Sequence, residues 1–239
     1  MHILILQHAR VETAGSLGHF LKEDGHTSQV VHLDEGEQIP EDNNIDGLWV
    51  LGGPMDVWDE EQLPWLKDEK LFIRSQVCDK GVPFLGICLG HQLLAESLGG
   101  RVAKSLSPEV GVLDVSLTES GQTGVFFDGL PERFKALQWH GAEVVELPPG
   151  AKSLAWSEYC HIQAMQWNTR AFSVQFHIEI EENTVKNWAN IPEYRTSLDK
   201  AMGKNGFEKM QDACFANISS MKEKAERLYI NWMQATAQT

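Results

Sequence analysis

Through its first hundred residues the chain alternates short apolar runs with stretches of helical spacing, and that alternation restricts the folds open to it. Residues 2–6, 28–33, 45–51 and 83–87 have strand length and are bounded by turn formers. Between them, residues 11–24 keep helical spacing up to Gly25. Residues 60–80 carry Leu63, Leu66, Phe72, Ile73 and Val77 at helical intervals before Gly81, and residues 91–98 stop at Gly99-Gly100. Apolar strands alternating with helices are covered on both faces. The pattern therefore predicts an α/β fold with a mostly parallel central sheet and helices on both faces.

After residue 100 the texture changes. Residues 110–117, 125–127, 134–140, 144–147, 153–156, 162–167 and 172–176 are short strand-like pieces parted by Gly, Pro, Asn and Ser, read as an antiparallel strand extension of the same sheet. A first domain is expected over residues 1–180. Residues 181–239 lack strand patterns and form a helical C-terminal segment. There Phe207, Met210, Cys214, Ile218, Met221, Ala225, Leu228 and Trp232 fall at steps of three or four, one apolar stripe on a helix. That stripe is expected to dock on its own domain; an oligomer through the C-terminal helix is the alternative.

The formal charge of −14 lies entirely in residues 1–180, because residues 181–239 hold eight acids and eight bases. Between Asp34 and Glu61 there are ten acids and no Lys or Arg. Such a surface repels phosphate backbones and argues against nucleic acid as a partner. It reads as a solvated acidic face, or as a docking face for a basic partner. No stretch approaches the roughly 18 apolar residues of a membrane span, and the apolar run at residues 3–6 is too short for a secretory signal. Four irregularly spaced cysteines suit a reducing cytoplasm better than a disulfide frame.

Residues 83–92, PFLGICLGHQ, place Cys88 at a strand-to-helix junction with Gly86 and Gly90 two residues to either side. This is the pattern of a nucleophile elbow with cysteine in place of serine. The glycines allow close backbone approach around a strained residue, and the following helix N-terminus favours thiolate. A thiolate nucleophile normally works with an imidazole held by a third group. The strand-like run 172–176 ends in His177-Ile178-Glu179, where residues i and i+2 point to the same side, so Glu179 can hold the ring of His177. Leu51-Gly52-Gly53-Pro54 follows another strand and leaves backbone N–H groups free for an oxyanion hole, expected to be the N–H of Gly53 with that of Leu89. No metal and no cofactor are called for by these residues.

Together these segments resemble the class I glutamine amidotransferases, over roughly residues 40–180. GICLGHQLLAESLGG (86–100) is the most specific part; LGGPMDV (51–57), VQFHIE (174–179), PEVG (108–111) and QWHG (138–141) support it. The resemblance is strongest to the amidase half of GMP synthases. It implies a Cys88–His177–Glu179 triad that releases ammonia from the glutamine side chain. It also implies that Gln92 touches the substrate, and that a loop around His140 and Gly141 binds its amino and carboxylate groups. The chain departs from the family pattern at Ile178, where proline is usual, at Trp139 and Ala142 around His140-Gly141, and at Met55.

The expectation is a glutaminase-type hydrolase acting through a cysteine thioester, alone or beside a separate synthase subunit, since no synthase or phosphate-binding motif is present. One alternative is hydrolysis of a small γ-glutamyl compound. Another, from a different class, is a non-enzymatic redox sensor or chaperone on the same fold, with Cys88 as a lone switch.

Overall fold

The computed structural model describes residues 1–40 and 44–237. Glu41, Asp42 and Asn43 of the acidic stretch, with Gln238 and Thr239, lie outside the described residues. Nine strands form one sheet: β1 (His2–Gln7), β2 (Thr27–His32), β3 (Gly47–Val50), β4 (Phe84–Ile87), β5 (Arg101–Leu117), β6 (Arg133–Glu146), β7 (Ala151–Trp156), β8 (Ala164–Trp167) and β9 (Ala171–Val174). Seven α-helices accompany them: α1 (Gly15–Glu23), α2 (Trp65–Arg74), α3 (Leu89–Ser97), α4 (Glu119–Thr123), α5 (Thr184–Trp188), α6 (Pro192–Met202) and α7 (Gly206–Ala237). The strand order is β2-β1-β3-β4-β9-β8-β7-β5-β6. From β2 to β9 every pair is parallel; from β9 to β6 every pair is antiparallel.

The period of two along each parallel strand divides the core. Ile3, Ile5, Trp49, Leu85, Phe172 and Val174 face one side, where Leu17 and Leu21 of α1 and Leu228 and Trp232 of α7 cover them. Leu4, Leu6, Leu48, Val50 and Phe84 face the other, under Leu66 and Ile73 of α2 and Leu93 and Leu94 of α3. Both sheet faces are buried, which is why these strands read as unbroken apolar runs. The stripe on α7 docks on the sheet of its own chain. Trp232 meets Trp49 edge to face at 5.6 Å, and its indole N–H donates to the carbonyl of Phe84.

Several boundaries differ from the sequence reading. The first helix begins at Gly15 rather than residue 11, because Val11 and Glu12 belong to the loop that caps the site. Residues 125–127 form a 3-10 turn, not a strand: Phe126 and Phe127 both enter the same core, which alternating strand geometry forbids. Residues 134–140 and 144–147 belong to one strand, β6, so His140 and Gly141 lie within a strand rather than in a loop. Opposite them β5 bulges at residues 105–108, between the pairs Lys104–Ala142 and Glu109–His140. Among the described residues no helix is long and apolar enough to cross a membrane.

Candidate active site

The carboxyl ends of the parallel strands line up by register. Leu6 pairs with Val50, Val50 with Gly86, and Ile87 with Val174. Running these registers forward brings His8, Gly52, Cys88 and Gln175 into one row at one rim of the sheet. Ligands of open α/β sheets bind outside such strand ends.

Cys88 follows β4 and caps α3 with φ 52° and ψ −104°, a conformation that an L-residue holds only when its surroundings dictate it. The Cys88 N–H donates to Val174 O at 2.8 Å, and its carbonyl accepts from His91 N–H at 3.0 Å. Gly90 is required here, since a Cβ on it would lie 2.0 Å from the carbonyl oxygen of Val50. The elbow is pinned between β3 and β9, and its thiol reaches the cavity described below.

His177 is held on β9's continuation by a reciprocal backbone pair with Leu137, at 2.8 and 3.0 Å. Its Nδ1 donates to Glu179 Oε1 at 2.6 Å, and Glu179 Oε2 accepts from the Ile178 N–H at 2.9 Å. The imidazole also hydrogen-bonds with the Cys88 thiol. The structure thus brings Cys88, His177 and Glu179 together in the order expected. Burial is the largest influence on the ring and opposes its charge. The charges of Glu179 and Cys88, with hydrogen bonds to both, overcome it and hold His177 well above the ordinary imidazole range.

Gly53 and Leu89 border the same cavity, and neither N–H meets a protein acceptor among the described residues. Gln92 is buried; its side-chain amide donates to Ala142 O and to Gln175 Oε1, both at 3.1 Å, while Gln175 Nε2 lies 3.5 Å from Cys88 Sγ. Gln92 borders the cavity through the rest of its side chain. The His140 ring turns away into a buried network, where Nδ1 donates to Ala142 O at 3.0 Å and Nε2 lies 3.2 Å from Glu109 Oε2. Glu109, His140 and Cys160 bring three metal-ligating atoms within 4.8 Å of one another, apart from the triad. Glu109 Oε2 is already taken by Ser157 at 2.9 Å and Gln163 at 2.6 Å as well as by His140. This network braces the strand that carries Gly141.

A cavity of about 820 Å³ opens over Cys88, with Gly53, Leu89 and Gln92 on one side and Trp139, Gly141 and Tyr194 on the other. Tyr194 and its neighbours on α6 come from the C-terminal segment, which the sequence reading kept apart from the site. Trp139, Trp188 and Tyr194 pack ring against ring, and Trp188 sets its face to the edge of His177 at 4.7 Å. Tyr194 donates its hydroxyl to Glu12, a buried carboxylate beside Gly52 and the Cε1 edge of His177. Burial pushes Glu12 up, against the pull of His177 and the Tyr194 hydroxyl.

Sequence reasoning missed Gln175, Glu12, Tyr194 and His8. Gln175 had a signal, for it shares the side of His177 and Glu179 by the same i, i+2 rule. The other three had none without the strand order or the path of α6.

An α/β sheet with cysteine on a strained elbow, beside an imidazole held by a carboxylate, defines a triad-type cysteine hydrolase. Sequence comparison narrows that class: the family model "Glutamine amidotransferase class-I" matches residues 12–187, and the chain belongs to that family. It is 36% identical over 154 residues to a glutamine-hydrolyzing GMP synthase subunit from Sulfolobus acidocaldarius, covering 64% of this chain and 77% of that one. It is 35% identical over 161 residues to the glutamine-hydrolyzing GMP synthase of Aeropyrum pernix, covering 65% of this chain but only 29% of that relative. Among solved structures, a glutamine amidotransferase from Thermotoga maritima superposes with a TM-score of 0.85 at 27% identity, covering 100% of this chain and 99% of the other. One from Methylobacillus flagellatus gives 0.86 at 26%, covering 98% and 94%. The site is a Cys/His/Glu cluster of the kind that hydrolyses glutamine.

Proposed function

We propose that Cys88, His177 and Glu179 hydrolyse the side-chain amide of glutamine to glutamate and ammonia. One observation carries the assignment: the His177 imidazole bonds both Glu179 and Cys88 at a cavity bordered by two free backbone N–H groups. The Cys88 sulfur attacks the amide carbon and forms the S–C bond. The electron pair displaced onto oxygen is held by the N–H groups of Gly53 and Leu89. His177 passes the thiol proton to nitrogen as the C–N bond breaks, ammonia leaves, and a thioester remains. His177 then takes a proton from water, which attacks the thioester and releases glutamate and the free thiol. Glu179 fixes the tautomer and steadies the imidazolium. Gln92 and the backbone at His140 and Gly141 hold the amino-acid end of the substrate.

The similarity to separately encoded, glutamine-hydrolyzing GMP synthase subunits supports a partner synthase that receives the ammonia. Residues 1–180 form the amidotransferase-like unit in this reading, and residues 181–239 a helical extension that completes its pocket. One observation favours a second reading, cleavage of a small γ-glutamyl compound. The cavity lies towards the upper end of the roughly 300–1,000 Å³ usual for drug-sized ligands and extends past Cys88 to α6. Glutamate release from glutamine and from γ-glutamyl dipeptides separates the two. Turnover of glutamine that Cys88→Ser abolishes supports the first; turnover of dipeptides alone rejects it.

A further inference from the structure

Resting on the reading of Gly53 as an oxyanion donor, we infer that His8 and Glu69 are positioning residues that aim and polarise the Gly52–Gly53 peptide. The register that extends β1 and β3 sets His8 level with Gly52. His8 Nδ1 lies 3.0 Å from Gly52 O, and Nε2 lies 2.9 Å from Glu69 Oε1. A carbonyl only accepts, so Nδ1 carries a proton. The contact with Glu69 needs a second proton between ring and carboxylate. Burial, the largest influence on His8, would strip that proton from the ring. The charge and hydrogen bond of Glu69 from α2, with the Gly52 carbonyl and the charge of Glu12 from the β1–α1 loop, prevail and raise the ring above its ordinary range. His8 is then an imidazolium donating from both nitrogens.

The carbonyl it grips and the N–H of Gly53 belong to one peptide plane. In a trans peptide these two groups point opposite ways, so fastening Gly52 O towards His8 turns the Gly53 N–H to the cavity. A charged donor on the carbonyl also draws electron density from the nitrogen. That makes the N–H a stronger donor, as in any polarised chain of hydrogen bonds. The approach is close: a Cβ on Gly53 would lie 2.8 Å from the Cβ of His8. Trp65 stacks on the ring at 5.7 Å and leaves it little room to rotate.

Stability gives no reason for this pair. His8 and Glu69 are 1% and 0% exposed, among Leu4, Leu6, Val50 and Leu66, and Glu69 Oε2 has no hydrogen-bond partner among the described residues. Well-packed apolar side chains serve such a place as well or better. The pair makes sense as a device to hold one peptide against the tendency of a Gly-Gly turn to rotate.

The test is steady-state glutamine hydrolysis by wild type, His8→Phe, His8→Gln and Glu69→Gln, beside alkylation of Cys88 by iodoacetamide. Alkylation needs the thiolate but develops no oxyanion. Loss of a whole oxyanion donor costs about 10²–10³ in kcat, so a misaimed one in His8→Phe is expected to cost about 10–100-fold. KM and the alkylation rate should stay within about threefold of wild type. His8→Gln, whose amide can still donate to Gly52 O, should recover part of the loss. Glu69→Gln keeps the shape, loses the charge and should fall about three- to tenfold in kcat; it decides the matter if His8→Phe does not fold. Unchanged kcat in the folded variants, or an alkylation rate that drops in step with kcat, overturns the inference while the triad stands. A wild type that turns over no glutamine, with Cys88 still alkylated, sinks the parent reading and this one with it.

Discussion

His177 stands between a thiol and a carboxylate, and its two nitrogens have different duties. Because Glu179 occupies Nδ1, only Nε2 can exchange a proton with Cys88. His177→Ala should therefore lower kcat for glutamine by roughly six orders of magnitude, as removal of the imidazole does in other triads. Glu179→Gln keeps the contact but turns the tautomer the wrong way, and should cost roughly four. Ammonia release under saturating glutamine measures both, and near-normal turnover in His177→Ala would favour the sensor reading. The triad was legible from local rules alone: an elbow bracketed by glycines, and a His-x-Glu at a strand end. Gln175, Glu12 and His8 were not. Each owes its place to neighbours far along the chain, and nothing within a few residues distinguishes His8 from the other eight histidines.

Helix α3 shows how an element that carries a nucleophile is anchored, and the anchor is sensitive to acid. His91, in its first turn, is fully buried. Nε2 donates to Ile162 O at 3.1 Å, and Nδ1 accepts from the Ser173 hydroxyl at 2.8 Å, which suits only the neutral ring. Burial, as the main cause, lowers its pKa to about 3. The unfolded chain, with an ordinary imidazole near 6.5, takes up that proton first. Stability linked to His91 is therefore complete above about pH 6.5 and is lost progressively as the pH falls towards 3. His91→Gln, uncharged throughout, should flatten that acid limb; urea midpoints from pH 7 to 4 measure it, and parallel curves for the two proteins would disprove the linkage. His177 has the opposite sign. Its contribution is full below about pH 6.5 and fades as the pH rises through its elevated folded value. On the opposite face, Trp232 of α7 fills the space beneath Trp49 and is wholly buried. Trp232→Ala should cost about 3–5 kcal/mol, seen as a lower urea midpoint at unchanged slope. Periodicity revealed the α7 stripe but not its target. The path of α6 over the cavity was equally hidden, since its course depends on the turn between α5 and α6 and on Tyr194 finding Glu12 across the fold.

Across the whole molecule the family match ends at residue 187, yet the core does not. Met210, Met221, Leu228 and Trp232 belong to the same packed cluster as Ile3, Trp49 and Phe172, and α6 forms one wall of the cavity. The two solved amidotransferases overlay nearly the full length of this chain, its C-terminal helices included. A fragment of residues 1–187 would strip one sheet face of its cover and uncouple Glu12 from Tyr194. Such a bare apolar sheet face is an aggregation surface rather than a solvated one. The fragment is expected to be insoluble, or soluble only with strong dye binding, lost near-ultraviolet circular dichroism and no glutamine hydrolysis. Adding residues 188–239 as a separate chain should restore activity only if α7 can refold onto its site, so co-expression is the sharper form of the experiment. A fragment that melts cooperatively and hydrolyses glutamine at the full-length rate would mean that α6 and α7 merely ride on a complete enzyme. A cooperative melt without activity would instead confine their part to the pocket wall.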